Sequence, residues 1–121
     1  MPTREVTLQG RMEDGLFVVE SPHAQFQLRM RTDTSDPHVF YQIFIGREYA
    51  CLDDVGSAEL IIDCGANVGY SAAYFLSRYP QSRVIAVEPE TANFQLMCQN
   101  LAPYGTVQSR CRRVCGHTRR G

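Results

Sequence analysis

The residues whose types and spacing suit chemistry gather in one run, Asp63-Cys64-Gly65-Ala66-Asn67-Val68-Gly69-Tyr70, and in one carboxylate beyond it, Glu88. Leu60-Ile61-Ile62 ahead of the run reads as a short buried strand, and Tyr70 to Tyr79 behind it as a helix stopped by Pro80. A tight turn between strand and helix calls for residues without bulk, and Gly65 and Gly69 supply them, with Ala66 between them a further candidate for the cofactor site. The following helix then offers unpaired N–H groups and the positive end of its dipole to a ligand. An acidic side chain about 20 residues on, at the end of the next strand, comes within reach of a ribose. Glu88 stands there, after Val84-Ile85-Ala86-Val87, with two oxygens able to accept from both ribose hydroxyls.

The identity of the ligand follows from charge. A dinucleotide site favours Gly-x-Gly-x-x-Gly, whose glycines admit a pyrophosphate, and Ala66 and Asn67 break that fingerprint. Asp63, just before the turn, would repel a diphosphate and attract a cation. A nucleoside bearing an ammonium and no phosphate satisfies both conditions, and S-adenosylmethionine is such a molecule. Plainer readings of the same residues exist. Asp63 can cap the helix, the two glycines can form an ordinary turn, Asn67 can fill a left-handed position, and Glu88 can be a strand-end carboxylate. Their occurrence in register favours the cofactor site. A nicotinamide-dependent oxidoreductase is the remaining enzymatic alternative.

The run from Asp63 to Tyr70, with Val87-Glu88-Pro89, Asn93-Phe94 and Asn100-Leu101, resembles the FkbM family of S-adenosylmethionine-dependent methyltransferases. Thr34-Ser35-Asp36, Val39-Phe40 and Glu48-Tyr49 look like the lead-in of such proteins, and the likeness extends from about Arg29 to Gly105. The resemblance implies methyl transfer to a hydroxyl oxygen of a sugar or natural-product scaffold. It also implies that Asp63, Gly65, Asn67 and Gly69 line the methionine side of the cofactor while Glu88 holds the ribose. Family members continue through further strands carrying the adenine pocket, the acceptor pocket and any base. None of these is recognisable here, so the chain reads as the N-terminal part of a Rossmann-like α/β methyltransferase, and a fragment that binds the cofactor weakly or not at all is the alternative.

The elements that must position these residues fall into three stretches. Residues 1–57 hold short alternating segments, Val6/Leu8 and Phe26/Leu28/Met30, around the apolar run Leu16-Phe17-Val18-Val19 that follows Asp14-Gly15. These predict antiparallel strands. Ser35-Asp36-Pro37 then starts a helix, with Asp36 as capping acid and Val39, Phe40, Ile43 and Phe44 on its apolar face up to Gly46. Residues 58–105 give strand, helix, strand and a second helix from Thr91 to Leu101. Both strands are apolar throughout, which predicts a parallel sheet covered on both faces. Residues 106–121 hold five of the twelve arginines, no acid and almost no apolar periodicity; Val107 could begin a third strand, but the pattern then collapses. That stretch reads as a structureless tail or as out-of-frame sequence after Tyr104-Gly105.

Composition narrows the function class. One small domain is what 121 residues allow, and a net charge of −1 gives no general attraction to nucleic acid or anionic membranes. No apolar stretch approaches the roughly 20 residues of a membrane span, and no signal peptide is evident. The expected setting is the cytoplasm, with five irregularly spaced cysteines as reduced thiols. Cys64 reads as a small buried thiol, and Tyr70 and Tyr74 as packing residues, Tyr70 with a possible place at the ligand. Cys111, Cys115 and His117 lack the spacing and fourth ligand of a zinc site, and Arg110, Arg112 and Arg113 lack the aromatic interleaving of a nucleic-acid surface. The partner expected is a small-molecule or saccharide acceptor.

Overall fold

Asp14 and Gly15 both take positive φ, 52° and 80°, the conformation a two-residue hairpin needs to match the twist of its strands. In the computed structural model, which describes residues 8–54, 56, 58–106 and 109–113, this turn joins β1 (Gly10–Glu13) to β2 (Leu16–Val19). β2 pairs in turn with β3 (Leu28–Met30), giving an antiparallel sheet in the order β1-β2-β3. The sequence places the first strand around Val6 and Leu8; Val6 lies outside the described residues, and the strand that forms begins at Gly10. Its exposed, mixed residues show no apolar alternation, so only the Asp-Gly turn announces it.

The helix behind Pro37 forms as α1 (Asp36–Phe40) and continues as a wider π-turn over Tyr41–Ile45, closed by Gly46. Phe40, Ile43 and Phe44 are buried along it, as their spacing predicts. Asp36 does not cap the helix. Ser35 holds that position, and Asp36 turns inward against Arg31, whose Nε lies 2.8 Å from Oδ2 and whose Nη2 lies 2.9 Å from Oδ1. Burial raises the pKa of this carboxyl, but the guanidinium outweighs it and holds the group below its ordinary range.

The second sheet is parallel, in the order β4 (Leu60–Cys64), β5 (Arg83–Val87), β6 (Ser109–Arg112). α2 (Tyr70–Arg78) and α3 (Thr91–Leu101) connect them. Glu90 caps α3 through both carboxylate oxygens, accepting from the N–H of Asn93 at 2.8 Å and of Ala92 at 3.2 Å. β6 falls in the stretch whose composition predicts no regular element. Its arginines obscure the pattern, yet Ser109 and Cys111 turn inward beside Val84 and Ala86.

Both helices lie over the face formed by Ile61, Asp63, Val84 and Ala86, and the prediction that both faces are covered does not hold among the described residues. On the other face Leu60 and Ile62 are 44% and 58% exposed, and Cys64 follows them into solvent. Cys64 is therefore not the buried thiol the sequence suggests, because strand alternation puts it on the uncovered side. One apolar cluster nevertheless links the two sheets, running from Val19, Leu28 and Met30 through Phe40, Phe44, Tyr70 and Tyr74 to Val84, Met97 and Leu101.

Candidate functional site

The chain leaves β4 through a bend in which Gly65, Asn67 and Gly69 all take positive φ, at 69°, 57° and 95°. The bend is tied to the next strand at two points. Ala66 N–H donates to the carbonyl of Val87 at 2.9 Å, and Asn67 N–H donates to Oε1 of Glu88 at 2.7 Å. Oε2 of Glu88 accepts the N–H of Glu90 at 3.0 Å. The acidic residue at the end of β5 thus sits against the bend that follows β4. Glu88 is 6% exposed, and each of its oxygens keeps one lone pair beyond the backbone bond it accepts.

The two glycines do different work. A Cβ added at Gly65 would meet nothing within 4 Å, so the outer side of the bend is open to an approaching molecule. A Cβ added at Gly69 would lie 3.1 Å from Cγ of Met97 and 3.3 Å from Cγ of Leu101. Gly69 lets α3 close on the bend, so the close approach it permits is to a helix. It also stands at the N-cap of α2, where no side chain caps the first-turn N–H groups.

Asp63 projects from the covered face of β4 toward the start of α2. Its Oδ2 accepts the Ser71 hydroxyl at 2.7 Å, a bond to a side chain and not the backbone bond of a helix cap. Burial raises the pKa of this carboxyl above its ordinary value, and the Ser71 bond only partly counters that. Among the described residues Ser71 is its hydrogen-bond partner and no cation pairs with it. Tyr49 lies close by, its ring tilted at 53° to that of Phe75 with centroids 5.1 Å apart. Burial raises the pKa of its hydroxyl, and the charges of Glu48 and Asp63 raise it further.

Of the residues singled out from sequence, Asn67 and Glu88 are joined directly by a hydrogen bond, Ala66 is tied to the end of β5 through Val87, and Gly65 and Gly69 lie in the same bend, with Asp63 at the end of the preceding strand. Tyr70 is not at the bend's open side; it is buried, and its hydroxyl donates to the carbonyl of Arg29 at 2.8 Å. Cys115 and His117 lie outside the described residues, and among the described residues no group of three or more His, Cys, Asp or Glu is placed to hold a metal ion. Sequence reasoning missed Ser71 and the use made of Asn100. Asn100 is fully buried, donating to the Val68 carbonyl at 2.9 Å and accepting the Arg29 N–H at 2.7 Å. Two turns earlier on α3, Asn93 accepts Nη2 of Arg31 at 2.8 Å. The pairing of two asparagines on one helix face is the signal that could have found this contact.

No family profile matches the chain. It is similar to a protein of Sordaria araneosa named methyltransferase sdnD, 31% identical over 64 residues, which are 53% of this chain and 24% of that protein. It is also similar to a protein of Beauveria bassiana named methyltransferase 1, 28% identical over 94 residues, 75% of this chain and 33% of the relative. The chain thus spans a quarter to a third of the curated relatives it matches. Its fold resembles the crystal structure of PH0793 of Pyrococcus horikoshii, described as a transferase, with a TM-score of 0.58 at 17% identity over 84% of this chain and 37% of that one.

Proposed function

We propose that this chain is the cofactor-binding portion of an S-adenosylmethionine-dependent methyltransferase with a Rossmann-like fold, of the FkbM type. The observation that carries the reading is the 2.7 Å bond between Glu88 and the Asn67 amide, which brings the ribose-holding candidate to the glycine bend. The residues present fit the cofactor. Asp63 is a half-buried carboxylate without a cationic partner among the described residues, the position an ammonium would fill. Gly65 leaves the bend's outer side open, and the first turn of α2 offers N–H groups to a carboxylate.

In this reading Asp63 would hold the amino group of the cofactor, with Ser71 fixing the carboxylate's orientation. The free lone pairs of Glu88 would accept the ribose hydroxyls, while its other lone pairs keep the bend in shape. Gly65, Ala66 and Asn67 would border the methionine moiety, and Gly69 would keep α3 close. When bound, the cofactor supplies an electrophilic methyl group. The chain's own part is alignment, which in such transfers accounts for much of the rate. The acceptor we infer is a small molecule or saccharide carrying a hydroxyl group.

The uncovered apolar face of the parallel sheet supports a second reading, in which the cofactor is held weakly until further polypeptide covers Leu60 and Ile62. Isothermal titration of the protein with S-adenosylmethionine and S-adenosylhomocysteine tests both. Saturable binding abolished by Asp63→Asn supports the site. Absence of heat at millimolar ligand favours the second reading, and binding of NADH in place of both ligands would refute the methyltransferase assignment.

A further inference from the structure

Among the described residues, two free cysteines meet where the last helix crosses the last strand. Cys111 turns inward from β6, in register with Ala86 of β5 and so on the face that α3 covers. Cys98 lies on α3, about one turn before that helix ends at Leu101. Both are half-buried, and the Cys111 thiol is within hydrogen-bond reach of Cys98. The two border one cavity of about 300 Å³, together with Leu101, Gly105, Ser109 and Arg112. Cys64, by contrast, ends β4 on the sheet's other face, and Cys51 lies in the exposed turn Ala50–Leu52.

The two thiols are not equivalent. Burial pushes the Cys111 thiol up to about 12; its bond to Cys98 and the negative charge of a Cys98 thiolate add to this, and the Arg112 guanidinium opposes it. Cys111 therefore keeps its proton near neutral pH and does not begin a thiol exchange, which leaves that step to Cys98. The place of the pair gives a link between them consequences. Arg112, the neighbour of Cys111, accepts the Glu88 N–H through its carbonyl at 2.9 Å. Tying β6 to α3 would thus also hold the end of β5.

We propose that Cys98 and Cys111 form a redox-active dithiol, oxidised by a glutathione-type disulfide to an internal bond that pins β6 to α3. The Cys98 thiolate attacks the glutathione disulfide; one S–S bond breaks, another forms, and one glutathione leaves. Cys98 then carries no charge, so that part of the hindrance to ionising Cys111 disappears. Cys111 gives its proton to solvent and displaces the second glutathione from Cys98. Each departing glutathione sulfur takes up one proton, so two protein thiols are oxidised and one glutathione disulfide becomes two thiols. The sulfurs close from hydrogen-bond reach to about 2.0 Å. The inference does not depend on the proposed cofactor reading, because amide exchange at Glu88 reports it with no ligand present.

Incubation of the reduced full chain with oxidised glutathione, then alkylation, digestion and mass spectrometry, tests this. A peptide joining Cys98 to Cys111 is expected as the main internal link, with Cys51 and Cys64 carrying at most one glutathione each. Cys111→Ser should trap glutathione on Cys98, whereas Cys98→Ser should leave Cys111 unmodified. In the oxidised parent the Glu88 amide should exchange with solvent about tenfold or more slowly than in the reduced one, since opening of β6 must then also move α3. Dithiothreitol should restore the faster exchange. Absence of the Cys98–Cys111 link, a bond from Cys111 to Cys115 in its place, or Glu88 exchange that oxidation leaves unchanged would each overturn the proposal.

Discussion

Replacing Glu88 by glutamine removes one acceptor oxygen and puts an NH2 group in its place, with almost no change of volume. In the parent, one oxygen accepts the Asn67 N–H at 2.7 Å and the other the Glu90 N–H at 3.0 Å. Whichever way the amide is turned, one of these backbone donors then faces another donor. A buried polar group left without its partner costs about 1–3 kcal/mol, and the surviving bond loses the advantage of a charged acceptor, roughly another 1 kcal/mol. The sum is about 2–4 kcal/mol, a large part of the roughly 5–15 kcal/mol that a domain has in total.

Equilibrium unfolding in urea reads this directly. With a slope of about 1–3 kcal/mol per molar for a small protein, the midpoint should fall by on the order of 1 M or more. The amides of Asn67 and Glu90 should exchange with solvent faster than those of α2's interior. An unchanged midpoint for Glu88→Gln would refute the reasoning, since the carboxylate could not then be bridging the bend and α3's approach. Measured where both proteins remain folded, a loss of S-adenosylhomocysteine affinity in the same variant would report the second duty assigned to Glu88.

Gly65→Ala should cost about 1–2 kcal/mol, the penalty of a left-handed backbone alone. Gly69→Ala should cost distinctly more in the same urea assay, because its Cβ also meets Met97 and Leu101; equal costs would contradict the packing described at Gly69. The raised pKa of Asp63 makes a signed prediction for pH. The folded state binds more protons than the unfolded one between the ordinary value of 3.8 and the raised value, so this group's contribution to stability declines as pH rises through that window. A bound ammonium favours the charged carboxylate, so cofactor affinity should increase with pH across the same window. Calorimetry over a pH series checks this, and Ser71→Ala should shift the rise to higher pH, whereas Asp63→Asn should abolish it.

Much of the fold was legible because its signals are local. The strand around Val84 to Val87 follows from its continuous apolar run ended by Glu88-Pro89, and the helix from Thr91 to Leu101 from the apolar side made by Phe94, Leu96, Met97 and Leu101. The cluster around the bend was legible because a strand, a tight turn and a second strand fix the distance between Asn67 and Glu88 almost independently of the rest. What escaped depends on partners far away in the chain. Continuous apolarity in β4 predicted cover on both faces, but whether a face is covered is decided by elements other than the strand itself. β6 escaped for the converse reason, since it adds to an existing edge through backbone bonds that Arg110 and Arg112 do not prevent. Asp36 looked like a cap by position and became an ion pair because Arg31 was folded back upon it.

The placement of the two asparagines on α3 bears on what the N-terminal sheet is for. Asn100 grips Arg29 at the middle of β3 and, through the same side chain, the carbonyl of Val68 within the bend. Asn93 holds Arg31 while its own N–H is capped by Glu90, two residues past Glu88. Both ends of α3 therefore connect the antiparallel sheet to the segments that shape the candidate site, and Tyr70, the first residue of α2, reaches the same Arg29 carbonyl. Arg29 is thus held by three side-chain bonds from residues flanking the bend, so a disturbance of the hairpin region passes to Val68 and Tyr70 through them. The N-terminal strands are on this account part of the scaffold that sets the bend's shape, and their removal should affect ligand binding even though no residue of theirs is assigned to the cofactor.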